Sequence, residues 1–492
     1  MFATRSSQVR LFSAASRGKI AAPPMVYIAG EEMSRWAGEL YLNEWIRPYV
    51  DTSKWEYFDL SCVSRDKSDD KVLKDCILAG KRVGAIYKEP TITPTADQVK
   101  EFNLKKAWGS PNGAMRAGWN GISISRDTIH LPGMKMGFKN PVLFDRHAVG
   151  GEYGASFKTV GPGVLTMSFA PAGGVPAVIS ERKLKDKVSA VVMYDNPYDN
   201  VEQMAHHFFG RCLEAKVTPY VITKKTVFKW QEGFWSPMKT VFDQHYKKKF
   251  ADAGLLKSCK GELTHFLSDV ATMQIVRWSD GGFGMCAHNY DGDVLTDEIA
   301  QVHRSPGFLT SVLNGVNDDG SIIKEFEASH GTVTDMWKSH QKGEETSLNP
   351  LSMMEALIGA MIHSEKLVKG SDGKLTAFST KLQAAIHAQM TTPGKGTRDL
   401  CGPSGLTTLQ FVSEVRAKVE LLLDGKALPK IAAKAQAKAT VTDPYPVDEE
   451  LMKKLFESID TDKSGVIDYE EFKTGMKKLG VAPRKLSETM GV

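Results

Sequence analysis

The chain has 492 residues, 42% of them hydrophobic and 25% charged, a balance ordinary for soluble globular proteins and one that excludes disordered and fibrous classes. Its formal net charge is +5, but Arg5, Arg10, Arg17 and Lys19 stand among thirty N-terminal residues without an Asp or Glu, so removing those four charges leaves the remainder at +1. A body so nearly neutral offers no clustered cationic surface for nucleic acid, and no run of about 18 apolar residues predicts a membrane span.

The leader MFATRSSQVRLFSAASRGKIAAPP is rich in Arg and Ser, lacks acids, and spaces its apolar residues for one helix face, as mitochondrial or plastid transit peptides do. Import into the mitochondrial matrix is the expectation, with residues 1–24 as the targeting segment. From about Met25 to Leu423, short β-rich runs (VGAIYK, PVLFDR, SAVVMYD, TPYVIT) alternate with helical patterns, which predicts an α/β architecture. In NVEQMAHHFFGRCLEA, Val201, Met204, Ala205, Phe208, Phe209 and Cys212 recur at helical spacing and predict a helix with one stripe on a sheet. The six cysteines form no C-x-x-C pair and read as buried or incidental thiols in a reducing compartment.

Near the C-terminus ALPKIAAKAQAKATVTDPYP, rich in Ala and Lys and broken by Pro444 and Pro446, reads as a linker over residues 426–446. A small all-α unit over 447–492 follows. Its segment DTDKSGVIDYEE matches the twelve-residue EF-hand calcium loop: Asp460, Asp462 and Ser464 supply side-chain oxygens, Gly465 the sharp turn, Val466 a backbone carbonyl, Asp468 the ninth position and Glu471 a bidentate carboxylate. A lone hand needs a mate, which a second copy of the chain could supply.

The chemistry of the body gathers around NYDGDVLTD, where Asp293 and Asp297 stand four residues apart, the spacing that brings two carboxylates together on one helix face or around one turn toward a shared divalent cation. On its own such a pair is most often a solvated face. Upstream, however, lie Ser110, Asn112 and Arg116 in SPNGAMR, then Arg126, then Arg146 and Tyr153 in DRHAVGGEY. Three arginines beside a carboxylate pair point to a polyanionic, metal-chelated substrate.

Taken together, TITP (Thr91–Pro94), SPNGAMR, RHAVGGEY, TKKT, GGF with NYDGD, and HGTVTD with ETSLNP resemble the isocitrate dehydrogenase family, in its eukaryotic-type homodimeric branch, over about residues 26–425. The resemblance implies an isocitrate/isopropylmalate dehydrogenase-like α/β fold with a large domain (25–120 and 304–425), a small domain (121–150 and 199–303) and a clasp (151–198), without the usual dinucleotide glycine fingerprint. The nearest glycine match, GFGMCA at Gly282, Gly284 and Ala287, is expected to run into HNYDGD without a helical continuation.

Further implications of the resemblance concern roles. Arg116, Arg126 and Arg146 would grip the three carboxylates of isocitrate, with Thr93, Ser110 and Asn112 hydrogen-bonding beside them. Asp293 and Asp297 would hold Mg²⁺ or Mn²⁺, with Asp269 reaching in from the partner of a homodimer whose active sites are shared. Where relatives commonly place a second acid after that position, this chain has Val270. Lys224 from the neighbouring subunit would relay the hydroxyl proton and Tyr153 would protonate the enol, both with deprotonated forms favoured by metal and cationic neighbours.

Lys88, Thr91, His330, Gly331, Thr332, Val333, Asp335 and Asn349 would line the coenzyme. NADP-using relatives typically carry Arg and then His after HGTVT, whereas this chain has Asp335 and Met336. An aspartate repels a 2′-phosphate and accepts from a free ribose 2′-hydroxyl, which implies NAD. Competing readings are NADP dependence, another β-hydroxyacid oxidative decarboxylase such as one acting on isopropylmalate, and a calcium-responsive scaffold with a decayed catalytic body.

Overall fold

A computed structural model describes residues 18–428, 456–462, 464, 471 and 474 of the chain. The leader through residue 17 and most of the linker lie outside the described residues, as do Val466 and Asp468 of the calcium loop. The folded body begins before Met25: Ile20–Ala21 pairs in parallel with Val50–Asp51, and Ala22 is buried.

Ten strands form one sheet: β1 (Met25–Ala29), β2 (Trp55–Asp59), β3 (Ala85–Lys88), β4 (Gly121–Asp127), β5 (Val142–His147), β6 (Thr218–Thr223), β7 (Thr264–Leu267), β8 (Phe283–Ala287), β9 (Thr310–Val316) and β10 (Ile322–Ala328). In space they run β7-β6-β8-β5-β4-β9-β10-β3-β1-β2. Both wings are parallel, while β5, β4, β9 and β10 pair antiparallel through the middle. β5 and β8 are buried along their whole length, as strands covered on both faces must be.

The main helices are α1 (Glu32–Tyr41), α2 (Pro111–Gly118), α3 (Val201–Ala215), α4 (Ser268–Arg277), α5 (Asn289–His303), α6 (Thr334–Gln341), α7 (Leu351–Lys366), α8 (Lys374–Met390) and α9 (Thr408–Leu423). The α/β expectation holds. So does the stripe on α3, whose Val201, Met204, Ala205, Phe208, Phe209 and Cys212 are all buried. α7 is apolar almost all round because it lies between the sheet and α8, packing on β10 and β3.

One expectation fails. HNYDGD does continue as a helix, since α5 starts at Asn289 directly after β8. The glycines nonetheless serve packing: a Cβ on Gly284 would stand 2.4 Å from Cys212 Sγ, so this strand accepts α3 at close range.

Between β5 and α3 the chain leaves the sheet and forms two antiparallel ribbons, Ser156–Val160 with Ser189–Met193 and Gly163–Phe169 with Ala177–Leu184. Their apolar residues face outward in the single chain, with Phe157 at 77%, Met193 at 72% and Val175, in the connecting turn, at 84% exposure. Among the described residues, no helix is long and apolar enough to cross a membrane.

Candidate active site

Arg126 and Arg146 reach the same face of the sheet because antiparallel register sets Arg126 opposite Phe144, two residues from Arg146. α5 covers that face. A Cβ on Gly292 would lie 2.8 Å from Arg146 Cβ and 3.2 Å from its Cα, so only a glycine lets the helix come this close. Asp293 is thereby delivered onto both guanidinium groups. Arg146 Nη1 donates to Asp293 Oδ1, and Arg126 Nη1 lies 3.3 Å from the same oxygen and 3.7 Å from Asp297 Oδ1.

Neighbouring polar groups orient the arginines. Arg146 Nε donates to Asn289 Oδ1 at 2.8 Å, and Arg126 Nη1 donates to Thr296 Oγ1 at 2.8 Å. The Tyr153 hydroxyl donates to Asp293 Oδ2 at 2.5 Å, and the Arg146 guanidinium sits 4.7 Å from the Tyr153 ring centre. Even so, Arg126 Nε and Arg146 Nη2 are buried without a hydrogen-bond partner. On two arginines that share Asp293, such donors are available to an anionic ligand.

Electrostatics separates the two carboxylates. Burial pushes Asp293 up, but Arg146 and Arg126 outweigh it and hold the group below its ordinary value. Asp297 is raised, by burial first and by its like-charged neighbour, with Arg126 and Arg146 offsetting only part. Burial, Arg116 and Arg126 together bring Arg146 down to about 9. The expected depression of Tyr153 is reversed by the protein's own groups: burial and the bond to Asp293 lift it to about 12 against the pull of Arg146.

Arg116 joins from α2, its Nη2 3.9 Å from Glu327 Oε1. Lys88, opposite Glu327 in the parallel register of β3 and β10, bonds Glu327 Oε2 at 2.7 Å. Burial raises Glu327, but Lys88 and Arg116 hold it low. Lys88 is 1% exposed and its ammonium is engaged by Glu327. Ser110 caps α2 by accepting from Gly113 N at 3.3 Å, with Pro111 at the first helical position. The Thr91 hydroxyl donates to Asn112 Oδ1 at 3.3 Å, and Thr93 is exposed between buried Ile92 and Pro94.

Lys224 and Asp269 form a separate pair. Lys224 Nζ donates to Asp269 Oδ1 at 2.5 Å, which keeps that carboxyl low, while Lys225 pairs with Glu232. Within this chain neither Lys224 nor Asp269 bonds to the arginine cluster.

The HGTVTD segment forms the loop before α6. His330 Nδ1 contacts Gly331 O at 2.8 Å, Thr332 is buried, and Val333 adopts φ +60° at the start of the helix. Asp335 is exposed in the first turn of α6, where an acid also favours the helix dipole by about 0.3–1 kcal/mol. Asn349 is turned to Asp399, at 2.8 Å. In the C-terminal unit, carboxylate oxygens of Asp460, Asp462 and Glu471 lie within 4.8 Å of one another, and Ser464 N donates to Asp460 Oδ1 at 3.0 Å.

This arrangement of arginines over an Asp-bearing helix agrees with the family comparison: the sequence profile of the isocitrate/isopropylmalate dehydrogenase family matches residues 25–415. The chain belongs to that family. An EF-hand profile matches residues 451–479. The chain is 55% identical over 480 residues to the mitochondrial isocitrate dehydrogenase [NAD(+)] 1 of Phaeodactylum tricornutum, covering 94% of this chain and 87% of that protein. It is 60% identical over 406 residues to the mitochondrial isocitrate dehydrogenase (NAD(+)) of Ostreococcus tauri, covering 82% and 86%. A crystal structure of isocitrate dehydrogenase from Ostreococcus tauri in complex with isocitrate and magnesium(II) superposes with a TM-score of 0.77 at 60% identity, over 81% of this chain and all of that one.

Asn289, Thr296 and Glu327 escaped sequence reading. The first two sit inside the motif that carries Asp293, a signal that could have found them. Glu327 needed the strand register.

Proposed function

We propose that this chain catalyses the oxidative decarboxylation of isocitrate to 2-oxoglutarate in the mitochondrial matrix, with NAD as acceptor and Mg²⁺ or Mn²⁺ bound. The observation that carries the reading is the pair of unpartnered buried donors on Arg126 and Arg146 beside Asp293. Arg116, Arg126 and Arg146 bind and orient the carboxylates, with Thr93, Ser110 and Asn112 beside them. Asp293 and Asp297 fit a hard divalent cation, being oxygen donors one helical turn apart, and Asp269 of a second copy completes the set. When bound, the cation would supply Lewis acidity to the substrate hydroxyl and to the charge left by carbon dioxide loss, and NAD would supply the hydride acceptor.

In this scheme Lys224 takes the hydroxyl proton, and Tyr153, protonated in its resting surroundings, returns a proton to carbon. Thr91, His330, Gly331, Thr332, Val333 and Asn349 line the coenzyme path, and Asp335 accepts from the ribose 2′-hydroxyl. The separation of Lys224 and Asp269 from the arginine cluster, together with the exposed apolar ribbons, supports a homodimer with shared sites. Calcium at Asp460, Asp462, Ser464, Val466, Asp468 and Glu471 modulates activity through that dimer, with Glu471→Gln abolishing the calcium effect and sparing calcium-free rates.

The test is initial rates with isocitrate and Mg²⁺, using NAD or NADP, each with and without calcium. NADH formation is expected to dominate. Absence of both NADH and NADPH formation overturns the enzymatic reading, and a preference for NADP overturns the role of Asp335.

A further inference from the structure

The loop assigned to the coenzyme is held in place from another part of the chain. Val333 lies in the left-handed region, which a β-branched residue occupies only where its surroundings impose it. Those surroundings are the first turn of α1. Glu32 Oε2 accepts from the Thr332 hydroxyl at 2.5 Å and the Thr334 hydroxyl at 2.6 Å. Ser34 adds two bonds at 3.3 Å, from its N to Thr332 O and from its Oγ to Gly331 O. The rings of Trp36 and His340, 4.2 Å apart, carry the contact on from α1 to α6. Glu32 itself has φ +56°, so one strained residue clamps another.

The residue before it reaches the opposite wall. The Glu31 carboxylate accepts from Cys62 N at 2.9 Å and Ile92 N at 3.2 Å, which fixes the Thr91–Pro94 turn. The preceding residue leaves no slack: Gly30 N donates to Glu89 Oε2 at 2.8 Å, and a Cβ on Gly30 would meet Pro90 O at 2.0 Å.

We propose that Glu31 and Glu32 are paired positioning residues that set the spacing of the coenzyme cleft, Glu31 holding the Thr91–Pro94 wall and Glu32 the His330–Asp335 wall from adjacent positions. The proposal rests on the reading that both segments line the coenzyme. Neither carboxylate touches it. Each works by fixing, before binding, the groups that do.

The experiment is steady-state kinetics and thermal unfolding of the full-length enzyme carrying Glu31→Gln, Glu32→Ala, Glu32→Gln or Thr334→Val, with Asp335→Asn as a reporter of the site itself. Glu31→Gln, which leaves one of two backbone donors unmatched, is expected to raise KM for NAD, and an unchanged value removes Glu31 from the pair. Glu32→Ala is expected to raise KM for NAD about tenfold or more, because two hydroxyl bonds to a charged acceptor are lost. Its kcat and its KM for isocitrate should stay within about threefold of the parent. Glu32→Gln, which keeps an acceptor oxygen, should recover most of the loss, and Thr334→Val should fall between. If Glu32→Ala does not fold, the Thr334→Val measurement decides alone.

Unchanged KM for NAD in the Glu32 and Thr334 variants, while Asp335→Asn raises it, overturns the brace and leaves the coenzyme site standing. Unchanged KM in all of them overturns the coenzyme reading and the brace with it. A drop in kcat and unfolding temperature with KM intact also overturns the proposal, since it marks a role in stability alone.

Discussion

Arg146 is 1% exposed, yet its guanidinium serves Asn289, Asp293 and the Tyr153 ring at once. A planar fork can do this and a point charge cannot. Arg146→Lys should therefore lower kcat/KM for isocitrate by about a hundredfold or more, from two charge-assisted bonds at roughly 1.5–3 kcal/mol each, with the fold retained by circular dichroism. Retention of near-parental kcat/KM would remove Arg146 from the substrate site.

Glu89 illustrates a different residue-scale effect. Burial lifts its carboxyl to about 7, against the bonds it accepts from Tyr27 and Gly30. A carboxyl raised in the folded state binds its proton more readily there than in the unfolded chain. Its contribution is thus fully present below the ordinary value of 4.5 and is lost as pH climbs toward about 7, a span worth about 3 kcal/mol at most. Urea unfolding at pH 5 and pH 8 should show Glu89→Gln losing less stability than the parent over that interval. Equal losses would show that the carboxyl is already ionised at pH 5.

At this scale the sequence is informative where a residue stands in a motif, as Arg126, Arg146, Asp293 and Tyr153 do, and these four do meet. It is silent where the partner lies across a register. Glu327 meets Lys88 only because β10 pairs with β3, and no local pattern announces that.

Among the elements, α5 does the most for the cleft, and Gly292 is why. Replacing it by alanine drives a methyl group into Arg146 Cβ and Cγ, which costs about 1–3 kcal/mol as overpacking and displaces helix and arginine together. Gly292→Ala should retain its fold, unfold several degrees lower, and lose kcat/KM well beyond what the stability change explains. Full activity would show that the helix has room to move. The periodicity of α3 was legible because one stripe meets one sheet, the simplest burial a helix can have. The start of α5 was not: its first turn, NYDGD, is polar and contains a glycine, features that read locally as a loop. Contact with β5 overrides that weak propensity.

For the whole molecule, α/β alternation was plain from the apolar runs. The spatial order of ten strands was not, since an antiparallel centre between parallel wings depends on long-range pairing. The proposed sharing of sites has a direct consequence for mixed assemblies. In a preparation of Lys224→Met and Tyr153→Phe chains dissociated and reassembled together, half the dimers combine both variants, and each of these regains one sound site. Activity should return to about a quarter of the parent from two inactive parents. No recovery would place Lys224 and Tyr153 in one protomer's site.

The outward apolar ribbons between residues 156 and 193 also bear on how the enzyme comes into being. In the proposed dimer a second copy covers these ribbons, so a newly made chain would carry them uncovered, ready to stick to any other incomplete chain. Recovery after denaturation should consequently peak at an intermediate protein concentration: too dilute and mates are scarce, too crowded and the ribbons find the wrong company first.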